Sequence, residues 1–131
     1  MKILGVGVDI VDNTRIKRSL KSSIFINRVF SMSEISQAKQ LKNKNSYYSK
    51  RFAAKEAFSK SLGIGFRNDL NFKDISVEKD KLGKPSFVIT EQIKKIVKKQ
   101  FNTSSFNFFL SISDEKKYSI AYVILQKNKF K

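Results

Sequence analysis

A chain of 131 residues with 40% hydrophobic and 12% aromatic content is long enough for one domain with a real core, and too apolar to stay disordered. It contains neither Cys nor His, which excludes Ser-His-Asp and Cys-His catalysis, thiolate or imidazole zinc sites and disulfides; any metal must be held by oxygens, as Mg²⁺, Mn²⁺ or Ca²⁺ are. The net charge of +16, from 27 basic and 11 acidic residues, favours an acidic partner: nucleic acid, a phosphorylated small molecule, an anionic membrane or an acidic protein. Lys far outnumbers Arg, as a compositional bias of the source genome would also give, so the placement of charge says more than its total. The first residues carry too short an apolar run for a signal peptide, and no 18-residue apolar stretch occurs, so the expectation is a soluble, cytoplasmic protein.

Residues 3–10 read as a buried strand with Leu4, Val6, Val8 and Ile10 on one face and Ile3, Gly5, Gly7 and Asp9 on the other. Two glycines weaken a strand, so their place is to admit something close to the backbone. Asp is disfavoured in strands, and Asp9 on that cleared face reads either as a ligand or as a helix cap, although Asp12, Asn13 and Thr14 are better placed to cap. Residues 13–30 read as helical with a break at Ser22-Ser23. Ile16 pairs with Leu20, Phe25 with Val29 and Ile26 with Phe30, one turn apart. No acid occurs between 13 and 33, so Arg15, Lys17, Arg18, Lys21 and Arg28 make a basic surface, either simply solvated or docking an acidic partner.

Ser31-Met-Ser-Glu34 is a capping-box pattern and predicts a helix over about 33–44, with Glu34 structural rather than catalytic. Asn43 to Ser46 reads as a polar breaker. Arg51 to Gly63 then predicts a central helix stopped by Gly63 and Gly65. Ala54, Ala57, Phe58 and Ser61 form one small or apolar side, while Phe52, Glu56, Ser59 and Gly63 form a second stripe. A helix apolar on two sides is mostly buried, so Glu56 needs a cation; Lys60 one turn on and a metal ion are the two candidates.

Residues 72–79 and 86–89 read as strands joined by the turn Asp80 to Pro85. Thr90 caps a helix to about 100, with Ile93, Ile96 and Val97 inward. Residues 106–113 and 117–126 form a second hairpin, with Phe108, Leu110 and Ile112 on one face of its first strand and Tyr118, Ile120, Tyr122 and Ile124 on one face of its second. The order β-α-α-α-β-β-α-β-β predicts a single α+β domain over 1–131, its mainly antiparallel sheet packed around the central helix.

Asp9 and Glu56 converge if the first strand packs on the central helix. Two carboxylates are a common protein share for Mg²⁺, which takes its other ligands from water and substrate phosphates; Arg51, Lys55, Lys60 and Lys84 are near enough in these motifs to hold such phosphates. The run Gly5 to Asp12, the run Arg51 to Gly63, Gly83-Lys84-Pro85 and Ser111-Ile112-Ser113 resemble, in order, the successive motifs of the holo-[acyl-carrier-protein] synthases, the small 4'-phosphopantetheinyl transferases. The first two motifs are specific as a pair; the last two are weak alone.

The resemblance implies Mg²⁺-dependent transfer of 4'-phosphopantetheine from coenzyme A to a serine of apo-acyl-carrier protein, releasing adenosine 3',5'-bisphosphate, in fatty-acid biosynthesis. It implies Asp9 and Glu56 as metal-binding and catalytic carboxylates. Arg51, Lys60, Gly83, Lys84, Pro85 and Ser113 fall at coenzyme A contacts, and Arg15 and Arg28 at contacts to the acidic carrier. It also implies a homotrimer with active sites between subunits. Positioning and charge neutralisation carry such chemistry, so a chain without His or Cys can perform it. The base for the serine hydroxyl stays open: Glu56 through a water on the metal is preferred, Asp12 is second, with capping as its other role. One departure stands out. Asp114 follows Ser-Ile-Ser where the family commonly has His, so either Asp114 points away from the nucleotide phosphate or Lys116 or Lys117 supplies the positive group. The rival reading is a small basic nucleic-acid-binding protein, supported by the charge and the Phe and Tyr content.

Overall fold

The computed structural model describes residues 2–63 and 70–129. The chain runs β1 (Lys2–Asp12), α1 (Asn13–Ser19), α2 (Ser23–Val29), α3 (Met32–Ala38), α4 (Lys44–Leu62), a 3₁₀ turn (Phe72–Asp74), β2 (Val77–Lys79), β3 (Pro85–Phe87), α5 (Glu91–Phe101), β4 (Phe106–Asp114) and β5 (Tyr118–Lys127). The architecture is α+β. One antiparallel sheet has the order β1-β5-β4, and a second, two-stranded sheet is the hairpin β2-β3.

Helix α4 is the centre of the core. Nearly its whole circumference is covered, from Tyr47 to Leu62, as its small and apolar composition requires. One side lies against the sheet, and the glycines of β1 make that approach possible. A Cβ on Gly7 would stand 1.9 Å from the Ala57 carbonyl oxygen, and one on Gly5 would stand 1.8 Å from that of Ser61. What the glycines admit is therefore helix backbone, not ligand. The sheet face toward α4 is Gly5, Gly7, Asp9 and Val11 of β1, Ser119, Ala121, Val123 and Leu125 of β5, and Phe108, Leu110 and Ile112 of β4.

The opposite sheet face corrects the expectation of a buried β1. Val6, Val8 and Ile10 point away from α4 and are exposed in the isolated chain, Val8 by 52% and Ile10 by 58%. Phe109, Tyr118, Ile120 and Tyr122 lie exposed on the same face, so the apolar surface spans all three strands.

Other boundaries move for local reasons. The break in the first helical stretch falls at Leu20–Ser22, where the Ser22 hydroxyl caps α2. Helix α3 ends at Ala38, short of 44. The run 43–46 is not a breaker but the start of α4: Asn43 Oδ1 accepts the Ser46 amide at 3.0 Å. Gly63 closes α4 in the left-handed region at φ 75°, where a Cβ is costly, while the second proposed stop, Gly65, lies outside the described residues. The capping box at Ser31 and Glu34 forms as expected; both hairpins form, but the leading strand of the first spans only Val77–Lys79 rather than 72–79, because Phe72–Asp74 wind into a 3₁₀ turn.

Candidate active site

Asp9 is on the α4-facing side of β1, and Glu56 and Lys60 are successive turns of α4, so the packing of one strand on one helix brings the three together. Lys60, expected as a partner for Glu56, pairs with Asp9 instead: Nζ is 3.2 Å from Asp9 Oδ1 and donates to the Val8 carbonyl at 3.1 Å. Glu56 has no ion pair within 4.0 Å among the described residues. Burial pushes the Glu56 carboxyl above the usual range, and the neighbouring Asp9 carboxylate pushes it further, against the pull of Lys60 and Arg15. Burial likewise raises Asp9, against Lys60 and Arg15. Arg15, read from sequence as a carrier contact, thus faces this carboxylate pair. Asp12 caps α1, its Oδ1 accepting the Thr14 and Arg15 amides at 2.8 and 3.3 Å; that engages it as a cap rather than as a base.

Two half-buried carboxylates near enough to raise one another's charge cost, only one of them ion-paired, suit a hard divalent cation that completes its shell with water and phosphate. Among the described residues no group of three or more His, Cys, Asp or Glu side chains could hold a metal ion.

The other residues assigned to coenzyme A lie elsewhere. Ser113 pairs with Ile120, which pairs with Ile10, and so it lies on the outer face of the sheet, opposite Asp9. Asp9 and Ile112 both align with Ala121, two strand spacings or about 9–10 Å apart. Lys84 and Pro85 of the β2-β3 turn border a cavity of about 360 Å³ against Phe109, Ser111 and Tyr122 of that outer face. Gly83 sits in the turn at φ 86°, and Asp80 Oδ1 accepts the amides of Leu82 and Lys84, both at 2.9 Å, fixing the turn. Arg51 is close enough to Lys79 at the base of this hairpin to lower the lysine's pKa, second to burial itself. Arg51 itself is 2% exposed, and its guanidinium carbon lies 3.7 Å from the centre of the Tyr47 ring. The candidate site residues therefore fall into two groups, two candidate half-sites: Asp9, Glu56, Lys60 and Arg15 toward the β1 edge, and Lys84, Pro85 and Ser113 toward the β4 edge.

Lys55 is not a phosphate ligand. It is fully buried, its Nζ 2.7 Å from Glu34 Oε1 and donating to the carbonyls of Phe72 and Ile75. Glu34 also accepts the Val77 amide at 3.0 Å, so this pair ties α3, α4 and β2 together. Sequence reading found the cap and missed the ion pair. It also missed Asn13, whose backbone amide and side chain pin the β4-β5 turn through the carbonyls of Glu115, Lys116 and Lys117. Asp114 is exposed and accepts the Ser46 hydroxyl at 3.1 Å. Arg28 is exposed on α2 beside Asn71, Phe72 and Lys73. Much of the aromatic content belongs to the core, where Phe58 stacks on Phe108 and Phe52 on Phe72, while Phe109, Tyr118 and Tyr122 are exposed on the outer sheet face.

The 4'-phosphopantetheinyl transferase superfamily profile matches residues 5–123. A holo-[acyl-carrier-protein] synthase from Pelagibacter ubique is 75% identical over 127 residues, 97% of this chain and 99% of that protein. The crystal structure of the holo-[acyl-carrier-protein] synthase of Neisseria meningitidis superposes with a TM-score of 0.86 at 37% identity, over 95% of this chain and 99% of that one. The Bacillus anthracis synthase, solved in complex with CoA (3',5'-ADP), superposes with a TM-score of 0.82 at 32% identity, over 98% of this chain and 100% of that one. The chain belongs to the holo-[acyl-carrier-protein] synthases of the 4'-phosphopantetheinyl transferase superfamily.

Proposed function

We propose that the chain moves 4'-phosphopantetheine from coenzyme A to a serine of an acidic apo-acyl-carrier protein, in the cytoplasm and for fatty-acid biosynthesis, with Mg²⁺ held by Asp9 and Glu56. The observation that carries this reading is the meeting of those two desolvated carboxylates at the β1-α4 contact in a chain of this family. Bound there, the metal would neutralise the pyrophosphate and the charge that grows on the leaving group. The serine Oγ bonds to the phosphorus that carries the pantetheine arm. The bond from that phosphorus to the bridging oxygen breaks, and adenosine 3',5'-bisphosphate leaves with the electron pair. Glu56, its pKa raised by burial and by Asp9, is the acceptor for the serine proton. Arg15 and Arg28 hold the carrier's acidic helix beside these carboxylates.

The two half-sites support a further element. Ser113 and the Lys84-Pro85 turn cannot reach Asp9 through the sheet of their own chain, and the same outer face is a continuous apolar surface of the kind that marks a protein interface. A second copy on that face would bring Gly83, Lys84, Pro85 and Ser113 of one subunit toward Asp9, Glu56 and Lys60 of the next; the family's trimer is the assembly we propose.

The test is to mix the protein with apo-carrier, coenzyme A and Mg²⁺ and weigh the carrier by mass spectrometry. The carrier should gain one 4'-phosphopantetheine, and chelation of the metal should stop the gain. A carrier of unchanged mass would overturn the activity; transfer undiminished in chelator would overturn the metal.

A further inference from the structure

Lys60 holds one of the two carboxylates that the proposed function assigns to the metal. Its ammonium is tied to β1 twice, at Asp9 Oδ1 and at the Val8 carbonyl. The two partners differ in freedom: the Lys60 side chain is 55% exposed and that of Asp9 15%. Asp9 is fixed by a strand packed on a helix, whereas Lys60 projects its ammonium on a flexible stem, so in any competition for Asp9 the lysine is the partner that moves. A divalent cation taking Asp9 must displace this ammonium or bind beside it against like-charge repulsion. Glu56 offers no alternative resting place of equal quality, because Lys60 already passes it over for Asp9. The pyrophosphate of coenzyme A would offer one, since an exposed lysine can turn toward an arriving anion.

We propose that Lys60 competes with the divalent cation for Asp9, and that coenzyme A, by drawing the ammonium onto its pyrophosphate, relieves the competition, so that metal and coenzyme bind cooperatively. The inference rests on the assignment of Asp9 and Glu56 to the metal. It adds to that assignment a coupling: by linkage, each ligand raises the affinity for the other by the same factor. The order of events has a use. Metal is retained when the coenzyme that needs it is present, and the carboxylate keeps a partner otherwise.

Mn²⁺ binding, followed by electron paramagnetic resonance without carrier, tests it in wild type, Lys60→Met and Asp9→Asn, each with and without saturating coenzyme A. Lys60 is exposed enough that its replacement should leave the fold intact, which circular dichroism checks. Without coenzyme A, Lys60→Met should bind Mn²⁺ about three- to fivefold more tightly than wild type, the worth of one partly exposed ion pair. With coenzyme A the two should agree within about twofold. Equal affinities without coenzyme would overturn the proposal. So would a gap that persists unchanged with coenzyme, because a fixed repelling charge gives that result and a displaced one does not. If coenzyme-bound wild type held Mn²⁺ no better than coenzyme-bound Asp9→Asn, the metal assignment itself would fall, and this inference with it.

Discussion

Gly7→Ala should damage both stability and chemistry, because the contact it disturbs is the one that builds the site. The new Cβ would lie 1.9 Å from Ala57 O, 2.7 Å from Ser61 N and 2.9 Å from Ala57 C, short of the 3.0 Å floor for real Cβ contacts by 1.1 Å at the worst. All three atoms are helix backbone, so no side chain can rotate away; β1 or α4 must move as a unit. Overpacking against adaptable side chains costs about 1–3 kcal/mol, and backbone on both sides places this case at about 3 kcal/mol or more. That is a large part of a domain's stability of about 5–15 kcal/mol. With a urea slope of about 2 kcal/mol per molar, the unfolding midpoint should fall by about 1.5 M at fixed protein concentration. A shift of about 1 Å between β1 and α4 also displaces Asp9 from Glu56, and misplacement of that size costs about 100-fold in rate. Gly83→Ala is the control: its φ is 86° and the space around its Cβ is open, so only the left-handed conformation is penalised, by about 1–2 kcal/mol. If Gly7→Ala lowered the midpoint by less than about 0.5 M, or less than Gly83→Ala did, the close approach of strand and helix would be wrong.

Asp9→Asn and Glu56→Gln should each abolish metal-dependent transfer, measured by carrier mass at limiting Mg²⁺. Glu56 has a folded-state pKa raised above its unfolded value, so its charge costs stability at neutral pH and the cost fades as pH falls through the folded pKa. Metal-free Glu56→Gln should therefore melt about 1–3 °C above wild type at pH 7, with a smaller gap near pH 5, by calorimetry in chelator. Lys55→Met leaves the Glu34 carboxylate buried without its ammonium and should destabilise by about 3–5 kcal/mol in urea unfolding; adding Glu34→Gln should restore part of that, while the KM for coenzyme A of the folded fraction stays unchanged. Arg28→Glu should raise the carrier KM about fivefold or more and leave that for coenzyme A alone, whereas Arg15→Glu, facing Asp9 and Glu56, should lower kcat as well; steady-state kinetics at two salt concentrations separates these, since exposed charges are screened over about 8 Å at physiological ionic strength.

Alternation along β1 and β5 identified two faces correctly but not which of them meets the helix. Small side chains answer that question: Gly5, Gly7, Ala54, Ala57 and Ala121 let backbones approach, so the side that looks poorer in hydrophobic mass is the packed one. Val6, Val8 and Ile10 look like core because they are apolar, yet they face away from α4 and are exposed in the isolated chain. The start of α4 was hidden for a related reason. Asn and Ser around 43–46 have weak helix preference, but an Asn cap and the burial of Tyr47 and Tyr48 extend the helix through them. Asp9 and Glu56 were legible because each is a carboxylate where burial demands a partner. The pairing of Lys60 with Asp9 rather than Glu56, and of Lys55 with Glu34, depends on contacts between elements 20 to 50 residues apart, which no local pattern encodes.

The proposed site takes the β1 edge of one subunit and the β4 edge of another, and mixed assemblies decide whether it does. Asp9→Asn removes one half-site and Lys84→Glu the other, so each variant alone should be inactive in the carrier-mass assay. Unfolded together and refolded, or co-expressed, they should regain activity, because a mixed assembly contains an interface with native Asp9 from one chain and native Lys84 from its neighbour. Full inactivity of the mixture, with mixed assemblies verified by native mass spectrometry, would contradict the claim and put both half-sites within a single chain.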